Sequence, residues 1–453
     1  MKHGPNARRQ FWLAGLFAAY ALAACACLEL RPLWLDEVIQ LIASTAPTAG
    51  DFMRGMGSPN PGAAPLGYLT QRPFVLVGGA TALWARVPSV LFSILACWAL
   101  LEICRQSKIA PITITVGLFM IIPLQFRYAI EARPYSEALF FSLLATLAFL
   151  KLEAGPTARW ACLSILATIA ALYTQPYAIL SICGAVFWTT VTSAKERNWK
   201  RAAIGPACVL ISLLAFLPWY IVQTPKWAAG IQEHGIPHFH WTFGLIQDLF
   251  KGISGDGFAC STALLFLCAA AFFARTSGLG VLLSTLLFSV CGALAGDAFM
   301  NYFFASRQII FALPGLAILA AIGFSALYRR NKIVALAALA ILLVASVEKN
   351  VTMQIDSQED WRAAAATLTE IARSGRCIEV VPANSFALYG FFDPGLASKI
   401  CPAAPEFGAA LVSHLYTTAE ELRSAESSWK ARGFVARRST AVGGTTITLE
   451  ERR

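Results

Sequence analysis

Charge is what this sequence has least of. Of its 453 residues only 14% are Asp, Glu, Lys or Arg, while 57% are hydrophobic and the mean hydropathy is +0.60. A soluble domain carries about 25% charged residues. The composition therefore excludes an ordinary soluble enzyme and points to a polytopic α-helical membrane protein. Neither a phosphate-binding P-loop nor a Gly-rich dinucleotide fingerprint occurs. No two of the 12 cysteines have CxxC spacing, which removes support for a zinc ribbon. Ten of them lie in or beside apolar runs, where cysteine behaves as a small hydrophobe. The net charge of +10 is uneven, because residues 348–453 hold 12 Lys+Arg against 13 Asp+Glu. The excess thus belongs wholly to the apolar part. It fits loop bias across a membrane and not a nucleic-acid footprint.

Eleven apolar runs are spaced as candidate transmembrane helices, near 11–28, 82–104, 109–128, 135–151, 159–174, 176–193, 202–222, 258–274, 278–295, 306–328 and 332–347. The first follows Lys2, Arg8 and Arg9 and also has the form of a signal peptide, with Leu22-Ala23-Ala24-Cys25 shaped like a lipoprotein cleavage box. Alternation puts Arg105/Lys108, Lys151/Arg159, Lys195/Arg197/Lys200/Arg201, Arg275 and Arg329/Arg330/Lys332 on one side with the N-terminus. That side gathers 15 basic residues and leaves nine for the longer opposite loops. The bias places the N-terminus in the cytoplasm and the C-terminus outside, in a multi-pass protein of the plasma (inner) membrane. Residues 29–81 become a long outer loop with short interfacial helices. Reading 64–79 as a span instead would invert every later loop.

Two domains are expected. Residues 1–347 form the membrane domain, its outer loop 29–81 included, and residues 348–453 a small extracytoplasmic α/β domain. In the latter, Glu359 to Ser374 and Thr418 to Lys430 have helical spacing, and 377–381, 433–437 and 445–449 read as strands. Cys377 and Cys401 are the two cysteines of the tail. Both lie on the expected oxidising side, where a disulfide is plausible.

The polar groups with chemical potential collect on the outer side. Asp36 and Glu37 are adjacent carboxylates at a membrane boundary, costly there unless solvated or paired. As i,i+1 neighbours they do not share a helix face. Arg127-Tyr128, Glu131, Arg133-Pro134-Tyr135, Tyr173-Thr174-Gln175, Asn301-Tyr302, Ser306-Arg307 and Arg86 fall on the same side. Arginines at outer helix ends run against the charge bias, and guanidinium is the usual partner of phosphate; the plainer alternative is snorkelling at helix ends. The inner loops are too short for a nucleotide pocket. An activated substrate is then most naturally carried on a lipid phosphate. Glu233, His234, His238 and His240 share one outer loop and are weak candidates for a divalent metal, since Pro237 breaks the helix that would align two of them. Without such a metal no cofactor is implied.

In order and placement these pieces resemble the GT-C superfamily of membrane glycosyltransferases, in the branch of the protein O-mannosyltransferases and the lipid A aminoarabinose transferase. The matching residues are Asp36-Glu37, Asn60-Pro61 with Ala64-Pro65-Leu66-Gly67-Tyr68, Arg86-Val87-Pro88-Ser89, Glu131-Ala132-Arg133-Pro134-Tyr135, Tyr173-Thr174-Gln175, Ser306-Arg307 with Leu313-Pro314, and Asp360-Trp361-Arg362. Two departures stand out: a His-Pro-Pro-Leu pattern of many relatives is replaced by Asn60 to Leu66, and Gln175 occupies a position that is usually His. The resemblance implies transfer of a hexosyl or pentosyl group from a polyprenyl-phosphate donor to a glycolipid, polysaccharide or protein acceptor at the outer face. It implies Asp36 as general base and Glu37 as an orienting group. Arg133, Tyr135 and Arg307 would meet the donor phosphate, with Arg86, Arg127, Tyr128, Gln175 and Tyr68 as secondary candidates. A transporter or flippase of lipid-linked sugars is the competing function, but it calls for polar groups near the midplane. A scaffold whose tail binds a partner is the third.

Overall fold

The computed structural model describes residues 5–57, 64–109, 111–234, 244–274, 279–300, 305–355, 359–402 and 408–452. By contact the chain divides into two compact units: Met1–Leu28 with Ala43–Met353, and Glu29–Ile42 with Gln354–Arg453. The sequence assigned all of 29–81 to the first domain, whereas here the stretch that carries Asp36 and Glu37 groups with the tail.

The helices up to the tail are α1 (Pro5–Ala26), α2 (Leu35–Ser44), α3 (Ala49–Gly57), α4 (Leu66–Gly78), α5 (Ala82–Gln106), α6 (Ile112–Ile121), α7 (Pro123–Ala129), α8 (Tyr135–Ala154), α9 (Ala158–Thr174), α10 (Ala178–Lys195), α11 (Trp199–His234), α12 (Leu245–Ile253), α13 (Phe258–Ala270), α14 (Gly280–Met300), α15 (Leu313–Arg330) and α16 (Lys332–Ile355). A 3-10 turn, Ser306–Ala312, leads into α15. Local chemistry sets several boundaries. Thr81 and Thr157 cap α5 and α9 by accepting the amides of Trp84 and Trp160. Pro123 ends the helical run of α6 and starts α7 at its first position, so the two meet at 67°.

In the first unit α5 packs on α8, α8 on α9, α10 on α14, and α13 on α15. The segment through α15 is the most enclosed of the apolar helices. Its Gly323 lets the backbones close in, because a Cβ there would sit 1.8 Å from the Leu267 carbonyl oxygen.

Among the described residues six helices are long and apolar enough to cross a membrane, or eight if the bent pairs α6–α7 and α12–α13 each count as one span. The expected number was eleven. Of the remaining apolar runs, Gln10–Ala26 and Ala158–Thr174 are shorter apolar helices, and α8 spans Tyr135–Ala154 with Glu137, Lys151 and Glu153 along it.

The second unit is built on a four-stranded sheet of β1 (Cys377–Val381), β2 (Ala409–His414), β3 (Phe434–Val442) and β4 (Thr445–Arg452), in the order β1-β2-β4-β3. β1 and β2 are parallel and the other pairs antiparallel. α17 (Trp361–Arg373), α18 (Phe386–Gly390) and α19 (Ala419–Ala431) complete it. Thr418 and Glu421 form a reciprocal capping box at the start of α19. Trp429 of α19 is fully buried, edge-on to Phe434 at 4.9 Å and covered by the Arg432 guanidinium at 3.9 Å. β2 escaped the sequence reading because Ala409-Ala410 carries little strand signal; it is nonetheless the buried central strand. Cys377 and Cys401 are disulfide-bonded.

Candidate active site

Two polar clusters contain most of the sequence candidates, one in each unit. The first is built on the break between α7 and α8. Arg127 donates from Nε to Glu131 Oε1 at 2.7 Å, and the Glu131 side chain is wholly buried. The Arg133 amide turns back onto the Glu131 carbonyl at 2.7 Å. Ser136 Oγ closes the loop onto the Tyr128 carbonyl at 2.8 Å, and Ser89 of α5 holds the Arg133 carbonyl. Tyr128 and Tyr135 then face each other with ring centroids 4.5 Å apart. The Arg133 guanidinium lies over Tyr135 at 5.8 Å and that of Arg127 over Tyr128 at 5.7 Å. Cation–π contact of this kind holds a guanidinium in place without neutralising its charge.

Arg307 joins this cluster from far along the chain. Its 3-10 turn packs on α7 and α8, and its charge acts on the Tyr128 phenol. Gln308 fixes the turn, its side chain accepting the Ala305 amide at 3.0 Å. The turn that carries Arg307 thus packs against the helices that flank the loop of Arg133.

The secondary candidates surround it. Gly67 lets α4 press on that loop, since a Cβ there would come within 2.4 Å of Pro134. Next to it Tyr68 is buried edge-on to Phe52 at 6.2 Å. Thr70, one turn on, donates to Glu137 of α8 at 2.8 Å, and Thr174 stands beside the same carboxylate. Gln175, immediately after Thr174, caps α9. Arg86 is buried and donates to the Leu28 carbonyl at 2.8 Å, which gives it a structural task at the end of α1.

The second cluster holds Asp36 and Glu37 in the first turn of α2. Glu37 is fully buried, and its Oε2 accepts the Trp34 amide at 3.2 Å, one arm of a capping box. Asp36 is partly exposed. Glu359, which the sequence offered only as the start of a helix, is at the centre. Its Oε2 accepts the Leu35 amide at 2.7 Å and the Trp361 indole at 2.8 Å, and its Oε1 accepts the Tyr416 hydroxyl at 2.6 Å. The Tyr416 phenol is raised above its usual range by burial, by this bond and by the charges of Glu359 and Asp36. It therefore stays protonated as a donor. Nearby, His414 accepts the Tyr416 amide at Nδ1, so Nε2 carries the proton and donates to Ser385 at 2.9 Å. That tautomer is the wrong one for activating a serine.

Of the metal candidates, the side chains of Glu233 and His234 and all of His238 and His240 lie outside the described residues, as do Asn60, Pro61, Asn301 and Tyr302. Among the described residues no group of three or more His, Cys, Asp or Glu is placed to hold a metal ion.

The helices and the sheet-bearing C-terminal unit have the fold of a solved structure, ArnT. The chain is similar along its whole length to ArnT from Cupriavidus metallidurans in the apo state, with a TM-score of 0.60 and 14% identity over 96% of this chain and 97% of that one. ArnT bound to undecaprenyl phosphate gives a TM-score of 0.59 at the same identity and coverage. No protein-family profile matches the sequence, and no curated protein matches it.

Proposed function

We propose that this protein is a membrane glycosyltransferase that moves a sugar from a polyprenyl-phosphate carrier to an acceptor hydroxyl or phosphate. The observation that carries the reading is the packing of the turn that bears Arg307 on the two helices that flank the Arg133 loop, where Arg133 lies over Tyr135. Guanidinium groups held against aromatic rings at a helix break suit a lipid phosphate better than a soluble metabolite. The ArnT counterpart that binds undecaprenyl phosphate supports the same class of donor.

In this reading Arg133 and Arg307 neutralise the donor phosphate, and Tyr135 adds a hydrogen bond. Asp36 takes the proton of the acceptor as its oxygen attacks the anomeric carbon. The bond from that carbon to the phosphate oxygen breaks, and the carrier leaves as polyprenyl phosphate with its added charge met by the arginines. Glu37 orients the segment through the Trp34 amide. The sugar is a hexose or pentose, and the acceptor a glycolipid, polysaccharide or protein. The chain spans the inner membrane eleven times, N-terminus in the cytoplasm and residues 348–453 outside.

The test is transfer by the purified protein from short-chain polyprenyl-phosphate sugars, paired with mass spectrometry of envelope glycolipids and glycoproteins from cells with and without the gene. Loss of one sugar mass in the deleted strain would name donor and acceptor together. Unchanged envelopes and no turnover with any such donor would end the proposal. A reporter active only in the cytoplasm, fused after Val347, should be silent; a strong signal would overturn the orientation.

A further inference from the structure

Glu359, 324 residues further along the chain, accepts an amide at the start of the helix that bears Asp36. We propose that Glu359 is a positioning residue, which caps the helix beginning Leu35-Asp36-Glu37 and thereby sets where the Asp36 carboxylate points. The inference rests on the transferase reading, because it assumes that Asp36 is the base.

The first amides of a helix have no partner within it. At α2 two carboxylates meet this need. Glu37 reaches back to the Trp34 amide at 3.2 Å, and Glu359 takes the Leu35 amide at 2.7 Å. Glu359 is itself held on three sides. The Trp361 indole donates to the same oxygen that caps α2, and the Tyr416 hydroxyl donates to the other. Trp361 is locked in turn, buried against the rings of Tyr389 at 5.3 Å and His414 at 5.5 Å. A carboxylate with such fixed donors cannot rotate freely. Asp36 follows Leu35 directly, so the position of the Leu35 amide sets the start of the helix and the direction of the next side chain. Glu359 touches the Leu35 backbone and works through it, which makes it a positioning group and not a catalytic one.

The experiment compares Glu359→Ala, Glu359→Gln and Tyr416→Phe in the full-length protein, with two readouts. The first is hydrogen exchange at the Leu35 amide, which needs no activity. Glu359→Ala should speed it by about 10-fold, and Tyr416→Phe by a smaller factor. Glu359→Gln should leave it close to the parent, because the amide oxygen can still accept. The second is the split of KM against kcat. Glu359→Ala should lower kcat by ~10–100-fold with the donor KM unchanged, and Gln should recover most of the loss. If Glu359→Ala proves too unstable to purify, Tyr416→Phe carries both readouts, removing one hydroxyl. Unchanged exchange at Leu35, a change in KM alone, or no recovery in Gln would each overturn the proposal. If the parent protein itself shows no transfer while Asp36→Asn is equally silent, the transferase reading fails separately, and the exchange result still decides the role of Glu359.

Discussion

Arg127 and Glu131 meet at 2.7 Å four residues apart, the acid wholly buried and the base 39% exposed. A buried carboxylate needs a cation beside it, and Arg127 supplies one. Its charge is thereby matched within the protein. Arg133 lies over the Tyr135 ring. In the proposed reading Arg133 and Arg307 are the groups that meet the donor phosphate.

Replacing Arg133 or Arg307 with Ala should therefore slow transfer by roughly 10²-fold, with a smaller loss of donor affinity. Lys should recover part of the loss, since it brings the charge without the two-pronged fork. Single-turnover rates and donor affinities with a short-chain polyprenyl-phosphate sugar measure both. Two variants that bind and react like the parent would move the phosphate site elsewhere.

Asp36→Asn should yield a folded, membrane-inserted protein with transfer reduced by ~10²–10⁴. The substitution keeps size and shape and removes the proton acceptor. Donor affinity should be unaffected. Near-parental turnover in purified protein would exclude Asp36 as the base.

The Cys377–Cys401 bridge closes a short loop, with the two residues 24 apart in sequence. Cross-linking a loop of that size stabilises by about 3 kcal/mol in the chain-entropy account. The double Cys→Ser variant should show faster pulse proteolysis within residues 354–452, and the first unit should be unaffected. Equal cleavage with and without the bridge would show that it contributes nothing measurable.

The second unit should lose stability in mild acid through His414. Burial lowers the pKa of this imidazole below its usual value, and the charge of Glu421 opposes the shift in part. The unfolded chain then binds a proton more readily than the folded one. The stabilisation is complete above a pH of about 6.5 and fades as pH falls toward the lower folded-state value. His414→Gln should flatten that limb in urea unfolding followed by Trp361 and Trp429 fluorescence. A limb that persists in the variant would assign it to another group.

Much of the first unit was legible because apolar runs and prolines speak locally. The run through residues 306–328 became the most enclosed of the apolar helices, while the run 109–128, read as one span, is bent where Pro123 starts a new helix. Arg307 was found by its position at a helix end, but its approach to Tyr128 depends on how the 3-10 turn packs, which no local pattern encodes. β2 was missed because alanines at 409 and 410 are poor strand formers that only a central, doubly covered position makes suitable. Glu359 was missed for a related reason. An acid near a helix start is ordinary in sequence, and its importance here comes from Leu35, 324 residues away.

That separation has a consequence for how the protein is made. Leu35 leaves the ribosome 324 residues before Glu359. At about 5–20 residues per second the interval is on the order of a minute or less, and the whole bundle is threaded into the bilayer during it. Until Glu359 is made, the helix that begins at Leu35 lacks this cap. A chain cut short before residue 359 never acquires it, however well its first unit assembles.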